Sequence, residues 1–467
     1  MEAQSRNRIL LVLFIGVLMG ALDIAIVGPA LPLIRSSFGV DDRAVAWIFT
    51  IYVLFNLISV PLMAKLSDAF GRRAIYILDV TLFALGSLMV AVSPTLPILL
   101  VGRAVQGFGA GGVFPVASAV IGDTFPPEKR GGALGLIGAV FGIAFLVGPI
   151  LAGIILFLLS WHWLFIINLP IALIVIVMAL RILPGARPAQ QREFDLLGMA
   201  ILAALLAALA FGINQLDTAN MAVSIVSLAV LPFLLLAVAL LPIFLLIESR
   251  AANPVVRLSL FRSRQVKLIS FVALGAGLGE ASVVFVPALV VAAFGVSSYT
   301  ASFMLLPAVL AMAVGSPTAG RMLDRRGSRV VLLAGTILVT AGMFVVAFLA
   351  ANIVFFYVAA ILVGLGLGIL LGAPLRYVML NESPASDRAA AQGVLTLYTS
   401  TGQLLGGVLV GAVAASFGGG LAGYATAFLV VGVIMLAMTA LTLGLKSRAA
   451  EIETAQRNHA AADAQRA

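Results

Sequence analysis

Runs of about 20 apolar residues, the length that carries an α-helix across a hydrocarbon core, recur from Ile9 almost to Lys446, with only short charged or Pro/Gly segments between them. Those segments are too short to build soluble domains. Hydrophobic residues make up 62% of the 467, charged residues only 10%, and the mean hydropathy is +1.18, far from an ordinary water-soluble domain. The fold class that follows is an all-α, polytopic membrane protein.

Apolar runs bounded by charge and Pro/Gly place helices near 9–35, 44–64, 74–92, 98–122, 131–158, 162–183, 195–213, 222–247, 266–294, 298–320, 329–350, 353–380, 388–416 and 421–446, about fourteen in all. Basic residues fall in alternate loops. One side carries Lys65, Arg72, Arg73, Lys129, Arg130, Arg187, Arg192, the Arg250 to Lys267 group, Arg321, Arg325, Arg326, Arg329, Arg388 and both termini, whereas the other carries only Arg35 and Arg43. The positive-inside rule makes the first side cytoplasmic, and an even span count agrees. The net charge of +9 is therefore topogenic rather than a nucleic-acid patch. The first apolar run is span-length and lacks a small-residue cleavage site, so it reads as a retained anchor.

Setting Lys65-Leu66-Ser67-Asp68-Ala69-Phe70-Gly71-Arg72-Arg73 against Arg321-Met322-Leu323-Asp324-Arg325-Arg326-Gly327-Ser328-Arg329 reveals a self-similarity, each segment following the second helix of a candidate half. Downstream, Gly107, Gly109, Pro115, Asp123 and Arg130 pair with Gly366, Gly368, Pro374, Glu382 and Arg388 at nearly constant offset. Parallel six-helix repeats follow, an architecture with its substrate site between the halves near the midplane. The predicted organisation is an N-terminal half at 1–183, two linking helices with their loops at 184–265, a C-terminal half at 266–446 and a disordered cytoplasmic tail at 447–467.

These residues resemble the major facilitator superfamily, specifically its fourteen-helix drug:proton antiporter branch, over nearly the whole chain. The family's loop motif Gly-x-Leu-x-Asp-x-x-Gly-Arg-Arg/Lys is matched up to Arg73, with Ala64 at the usual Gly. Leu22-Asp23-Ile24-Ala25 through Ala30-Leu31-Pro32 approximates the first-helix motif, with Ala25 at the usual Thr. Arg103-Ala104-Val105-Gln106-Gly107-Phe108-Gly109 is similar to the family's Arg-x-x-Gln-Gly-x-Gly, and Gly148-Pro149-Ile150-Leu151-Ala152-Gly153 to its antiporter motif. Trp161-His162-Trp163-Leu164-Phe165-Ile166-Ile167-Asn168-Leu169-Pro170 resembles a motif of this branch, with His162 at the usual Arg.

Ionisable side chains inside a bilayer are costly and mark cavities or transport pathways. Here they are Asp23, Asp79, Glu280, Arg103 and Arg376. Burial favours the neutral acid and a nearby Arg the carboxylate, so a cavity acid is poised to exchange a proton as its surroundings change. Asp23 is either a proton acceptor or counter-ion for a cationic substrate, or a fixed ion pair with Arg103 that joins helices one and four. Arg103 and Gln106 share a helical face; Arg103 either tunes a neighbouring acid or bonds backbone carbonyls. Glu280, after Gly275, Gly277 and Gly279, is a second proton or cation site or a structural hydrogen-bond partner. Asp79, near the cytoplasmic start of helix three, is read as structural, snorkelling or pairing with a loop Arg.

Tyr52, Asn56 and Ser59 align on helix two, and Gln392, Thr396, Thr399 and Gln403 on helix thirteen, as cavity walls or as interhelical glue. Tyr52, Asn56, Gln106, Phe141, Phe145, Gln392 and Thr396 are the candidate cavity residues. The resemblance implies a cytoplasmic latch at Asp68, Gly71, Arg72, Arg73, Asp324 and Gly327, and Gly148, Pro149 and Gly153 predict a gating bend, since Pro removes a backbone hydrogen bond.

No cysteine and two histidines leave no thiolate or imidazole metal site, and no nucleophile, metal set or nucleotide loop with suitable spacing points to an enzyme. The function expected is a proton-coupled antiporter that exports amphipathic, cationic compounds by alternating access, as a monomer in the bacterial inner membrane. It needs the proton gradient but no cofactor, and its partners are substrate, protons and lipids. Export of a lipid or metabolite is the alternative within transport, and a flux-free ligand sensor the alternative outside it.

Overall fold

The computed structural model describes residues 3–185, 195–251, 254–383 and 387–454. Among them there is no β-strand; the helices are α1 (Ala3–Phe38), α2 (Asp42–Phe70), α3 (Arg72–Ala91), α4 (Leu96–Thr124), α5 (Pro127–Leu158), α6 (Trp163–Ile166), α7 (Asn168–Ile182), α8 (Leu196–Asn214), α9 (Met221–Ile225), α10 (Leu231–Arg250), α11 (Arg264–Val283), α12 (Val286–Phe294), α13 (Ser298–Met304), α14 (Leu306–Arg326), α15 (Ser328–Leu349), α16 (Ile353–Leu371), α17 (Ala373–Asn381), α18 (Arg388–Ser416) and α19 (Gly420–Thr442). Among the described residues thirteen helical stretches are long and apolar enough to cross a membrane, and Gly142–Leu158 of α5 is a shorter apolar helix. The expected set of about fourteen spans is thus present.

Several predicted spans are broken rather than continuous. The runs at 222–247, 266–294, 298–320 and 353–380 divide before Pro232, Pro287, Pro307 and Pro374, each of which occupies the first turn of the segment that follows. Proline there has no N–H to lose and a backbone angle already suited to a helix start. Pro149, by contrast, lies inside α5, which continues through it without interruption. Asp41, Ser263 and Asn352 accept backbone N–H groups at the starts of α2, α11 and α16, relieving donors that have no intrahelical partner.

The chain forms two compact units, Met1–Ala207 with Val296–Phe303, and Ala208–Gly295 with Met304–Ala467. The division falls within α8, inside the predicted linking stretch. In the first unit α4 packs against both α2 and α3; in the second α16 packs against both α14 and α15. Glycine makes these approaches possible. A Cβ on Gly107 or Gly111 would strike the α2 backbone at Tyr52 or Asn56, and one on Gly109 the α3 backbone at Asp79 and Phe83. In the second unit Gly364 and Gly368 meet α14 at Ala308 and Met312, and Gly366 meets α15 at Gly335 and Val339.

This contact pattern corrects the register of the repeat. Gly107, Gly109 and Gly111 correspond to Gly364, Gly366 and Gly368, two residues earlier than sequence matching pairs them. Arg103 then stands opposite Ala360, so the second unit lacks its guanidinium. Helix backbones in contact cannot yield to an added side chain as a side chain can. Gly107→Val is accordingly expected to destabilise the protein by at least about 1–3 kcal/mol, read as a lower thermal-unfolding temperature in detergent, whereas valine at Gly122, where a Cβ meets open space, has a small effect.

Apolar side chains left on the outside fit a lipid solvent. Only 17% of the apolar window of α10 is buried, against 67% for α11, and Leu235, Leu236, Val238 and Leu241 are exposed. A surface of this kind belongs in hydrocarbon rather than water.

Candidate functional site

In the first unit, residues from α1, α2, α3, α4 and α7 converge on Asp23, which is fully buried, as are Arg103, Gln106 and Ser87. The guanidinium of Arg103 donates through Nη1 to Asp23 Oδ2 at 2.6 Å and to Gln106 Oε1 at 2.6 Å, and through Nε to the Ile48 carbonyl at 3.0 Å. Gln106 Nε2 donates to Asp23 Oδ1 at 2.7 Å and to Ser87 Oγ at 2.8 Å. Asn168, at the start of α7, donates to the same two atoms at 3.2 and 3.3 Å. The Tyr52 ring lies beneath the guanidinium, 4.2 Å from its carbon to the centroid, and Phe165 is at 5.8 Å, within the range of cation–π attraction.

The local reason is again glycine. Gly86 admits the backbone of Gln106 against α3, and Gly107 admits α2 at Tyr52, so α4 presents Arg103 and Gln106 one turn apart to three neighbours at once. Both Asp23 oxygens are engaged, one by the guanidinium and one by two amides. Of the two readings of Asp23, the ion pair joining α1 and α4 is the arrangement the structure contains. Asn168 and Ser87 escaped sequence reasoning as site residues. Asn168 stands in the motif that begins at Trp161, so a signal for it existed; Ser87 sits in an apolar run with none.

The second unit holds a much simpler site. A Cβ on Gly277 or Gly402 would strike the facing backbone at Thr399 or Leu274, so α11 and α18 approach closely, and Gln403 Nε2 donates to Glu280 Oε2 at 2.8 Å. Glu280 is half-buried rather than sealed, and among the described residues no cation lies in ion-pair distance of it. The other polar residues of that face are differently employed. Thr396 and Thr399 bond carbonyls of their own helix at 3.1 and 3.0 Å, the local bonding hydroxyls favour in helices, and Gln392 donates to the Arg376 carbonyl at 3.2 Å. Asn56 and Phe145 are half-buried; the side chain of Phe141 lies outside the described residues.

The loop motif of the first unit closes on itself. Gly71, at φ +99°, makes the turn from α2 to α3 in a region that favours glycine. Arg72 then pairs with Asp68 at 2.5 Å and Asp123 at 3.0 Å and donates to Ser67 Oγ at 2.6 Å, while Arg73 packs on Gly185. The second unit repeats the turn at Gly327, φ +80°, with other partners. Glu451 accepts from the Ser328 N–H at 3.1 Å and from its hydroxyl, Arg448 donates to the Arg325 carbonyl at 2.5 Å, and Lys446 pairs with Glu382 at 2.5 Å.

Residues 448–454 are helical, and Glu451 is buried, which corrects the expectation of disorder for that part of the tail, while 455–467 lie outside the described residues; a carboxylate at a helix start is held by free N–H groups and by the helix dipole. Truncating it, Glu451→Ala, should cost about 1 kcal/mol in thermal-unfolding experiments. The side chain of Asp324, and Arg187 and Arg192, lie outside the described residues.

Gly148 and Gly153 act as packing positions. A Cβ on Gly148 would meet the Ala25 methyl of α1, and one on Gly153 the Phe303 ring at 2.8 Å. His162, at the position where Arg is usual, stacks on Trp161 with centroids 3.7 Å apart. Burial lowers the pKa of its imidazole from the ordinary value, which disfavours the charged form. Asp79 does not snorkel: it is wholly buried, and among the described residues it pairs with no Arg and neither carboxyl oxygen has a hydrogen-bond partner.

The model of the Major Facilitator Superfamily matches residues 13–252 and 268–464. The uncharacterized MFS-type transporter YfiU of Bacillus subtilis (strain 168) is 34% identical over 410 residues, which span 86% of this chain and 79% of that protein. Multidrug resistance protein 3 of the same organism is 28% identical over 412 residues, 88% of this chain and 80% of that one. Among solved structures, a bacterial homolog of the human lysosomal transporter Spinster, inward-facing and unoccupied, aligns with a TM-score of 0.68 at 14% identity, over 98% of this chain and 99% of that one; at such identity the likeness is one of fold.

Proposed function

The chain belongs to the Major Facilitator Superfamily, a multi-pass membrane transporter and not an enzyme, and from that premise we propose that it is a proton-coupled exporter of amphipathic, cationic compounds that works by alternating access. The observation that carries the reading is Glu280, a half-buried carboxyl at membrane depth with one amide donor and, among the described residues, no cation in ion-pair distance. A carboxyl so placed exchanges one positive charge for another at low cost, a proton for a substrate ammonium, because either neutralises it. Asp23 has the contrasting role. Its oxygens are already satisfied by Arg103, Gln106 and Asn168, so it takes part only when α1 and α4 shift and the ion pair opens.

The name of the 28% identical relative, a multidrug resistance protein, supports an efflux role. The proton gradient supplies the energy without a cofactor, and the protein acts as a monomer in the bacterial inner membrane. Both termini face the cytoplasm, where the Arg72 and Arg325 loops place positive charge.

The test is reconstitution in liposomes with an imposed pH gradient, recording accumulation of a fluorescent lipophilic cation together with internal pH. Gradient-driven accumulation with a matching dissipation of internal pH is the expected result. Several such cations giving neither flux nor a change of internal pH would overturn the cationic reading and leave lipid or metabolite export in its place.

A further inference from the structure

One buried acid is unused by the mechanism above. Asp79 lies two turns into α3 with no exposed surface, and both of its carboxyl oxygens lack a hydrogen-bond partner among the described residues. It points at α4, where a Cβ on Gly112 would fall on the carboxyl group itself. Gly112 thus leaves the carboxyl the room that any larger residue would occupy.

Most charged and titratable groups of the surrounding elements are otherwise committed, and Lys65 Nζ of α2, which has no hydrogen-bond partner among the described residues, does not bond to Asp79. On α3 itself, Tyr76 is in electrostatic reach, but its hydroxyl donates to the Val12 carbonyl of α1 at 3.3 Å; Arg72 is held by Asp68 and Asp123, and Arg73 reaches toward the Leu180 carbonyl. On α4, Arg103 is held by Asp23 and Asp123 by Arg72. Lys65 and Asp68 of α2 and Arg181 of α7 form no hydrogen bond or ion pair with Asp79.

The fold does not require an acid here. In the register set by the helix contacts, Asp79 and Gly112 correspond to Gly335 and Ile369, and there a Cβ on Gly335 would meet the Ile369 side chain at 2.9 Å. The second unit fills the same crossing with a small residue on one helix and a hydrocarbon on the other. The first unit reverses the sizes and makes the larger partner a carboxyl.

We propose that Asp79, set against Gly112, is a further proton-binding site of this transporter, occupied while α3 and α4 are in contact and emptied when that contact opens to water. An ionised carboxylate enclosed without donor or cation is far more costly than the neutral acid. Sliding of α3 along α4 at the glycine contacts would give the oxygens water and release the proton. Proton binding stands on the geometry alone; its use in transport rests on the proton-coupled reading above.

The experiment is infrared difference spectroscopy of the purified full-length protein in lipid, comparing native, Asp79→Asn, Asp79→Ser and Glu280→Gln proteins across a pH series. The expected result is a carboxylic C=O band at neutral pH that is lost in both Asp79 variants, persists in Glu280→Gln, and disappears from the native protein on alkalinisation. A native band unchanged by both Asp79 substitutions overturns the proposal. If an Asp79 variant does not fold, the native pH series read against Glu280→Gln decides: no pH-dependent carboxylic band beyond that of Glu280 also overturns it. Liposome flux that fails while the Asp79 band is present refutes proton-coupled export without touching this site.

Discussion

Glu280→Gln is expected to fold normally and to lose all gradient-driven accumulation of a lipophilic cation, falling to the level of protein-free liposomes. Glutamine preserves the size of the side chain and can still hydrogen-bond to Gln403, which now donates to Glu280 Oε2 at 2.8 Å, so the α11–α18 contact, set by Gly277 and Gly402, is undisturbed. What disappears is the capacity to hold a positive charge. A neutral amide neither takes up a proton nor offsets a substrate cation at membrane depth. Simultaneous records of accumulation and internal pH check this: coupled flux surviving in Glu280→Gln would move the coupling role to Asp23 or Asp79.

The second large effect concerns stability. Arg103→Ala should cost about 3–5 kcal/mol, because removing one member of a buried ion pair strands the other charge without compensation. Asp23 would keep its two amide donors, Gln106 and Asn168, but lose the cation 2.6 Å away. Asp23→Asn strands the guanidinium in turn, and its Nη2 already lacks a partner. The double variant Asp23→Leu/Arg103→Met should recover most of the stability of either single one, since a buried ion pair replaced by packed hydrocarbon is often neutral or stabilising. Thermal unfolding of the native, Asp23→Leu, Arg103→Met and double-variant proteins in one detergent makes the cycle. Additive losses would mean that the pair contributes nothing as a pair; recovery in stability without recovery of transport would assign the two charges to the transport cycle rather than to the fold.

Much of this architecture is legible in the chain. Span-length apolar runs identify the helices because a bilayer imposes a length and forbids unsatisfied backbone, and the breaks at Pro287, Pro307 and Pro374 were equally visible, though span-length reading passes over them. Asp23, Arg103 and Gln106 stand out because ionisable and amide groups are rare in hydrocarbon. Their mutual contact is legible only as one of two possibilities for Asp23; Asn168 is marked by the motif that begins at Trp161 but not as a partner of Asp23, and Ser87 is not legible at all, since nothing in a one-dimensional pattern says which faces of α3 and α7 turn toward α1.

By itself, then, the sequence determines the helices, their order, the turns at Gly71 and Gly327 and the short roll of intramembrane acids, because these depend on local propensity and on the cost of polarity in lipid. Tertiary structure alone decides what each acid is: Asp23 locked by Arg103, Glu280 half-open beside Gln403, Asp79 sealed against Gly112. It decides, too, that Glu451 belongs to the start of α15 and that the repeat aligns by its glycine contacts. The physical reason is the same throughout. The state of a carboxyl is set within a few ångströms by donors, cations and water, and in a helical membrane protein those neighbours come from helices distant in the chain, brought together where glycine lets backbones touch.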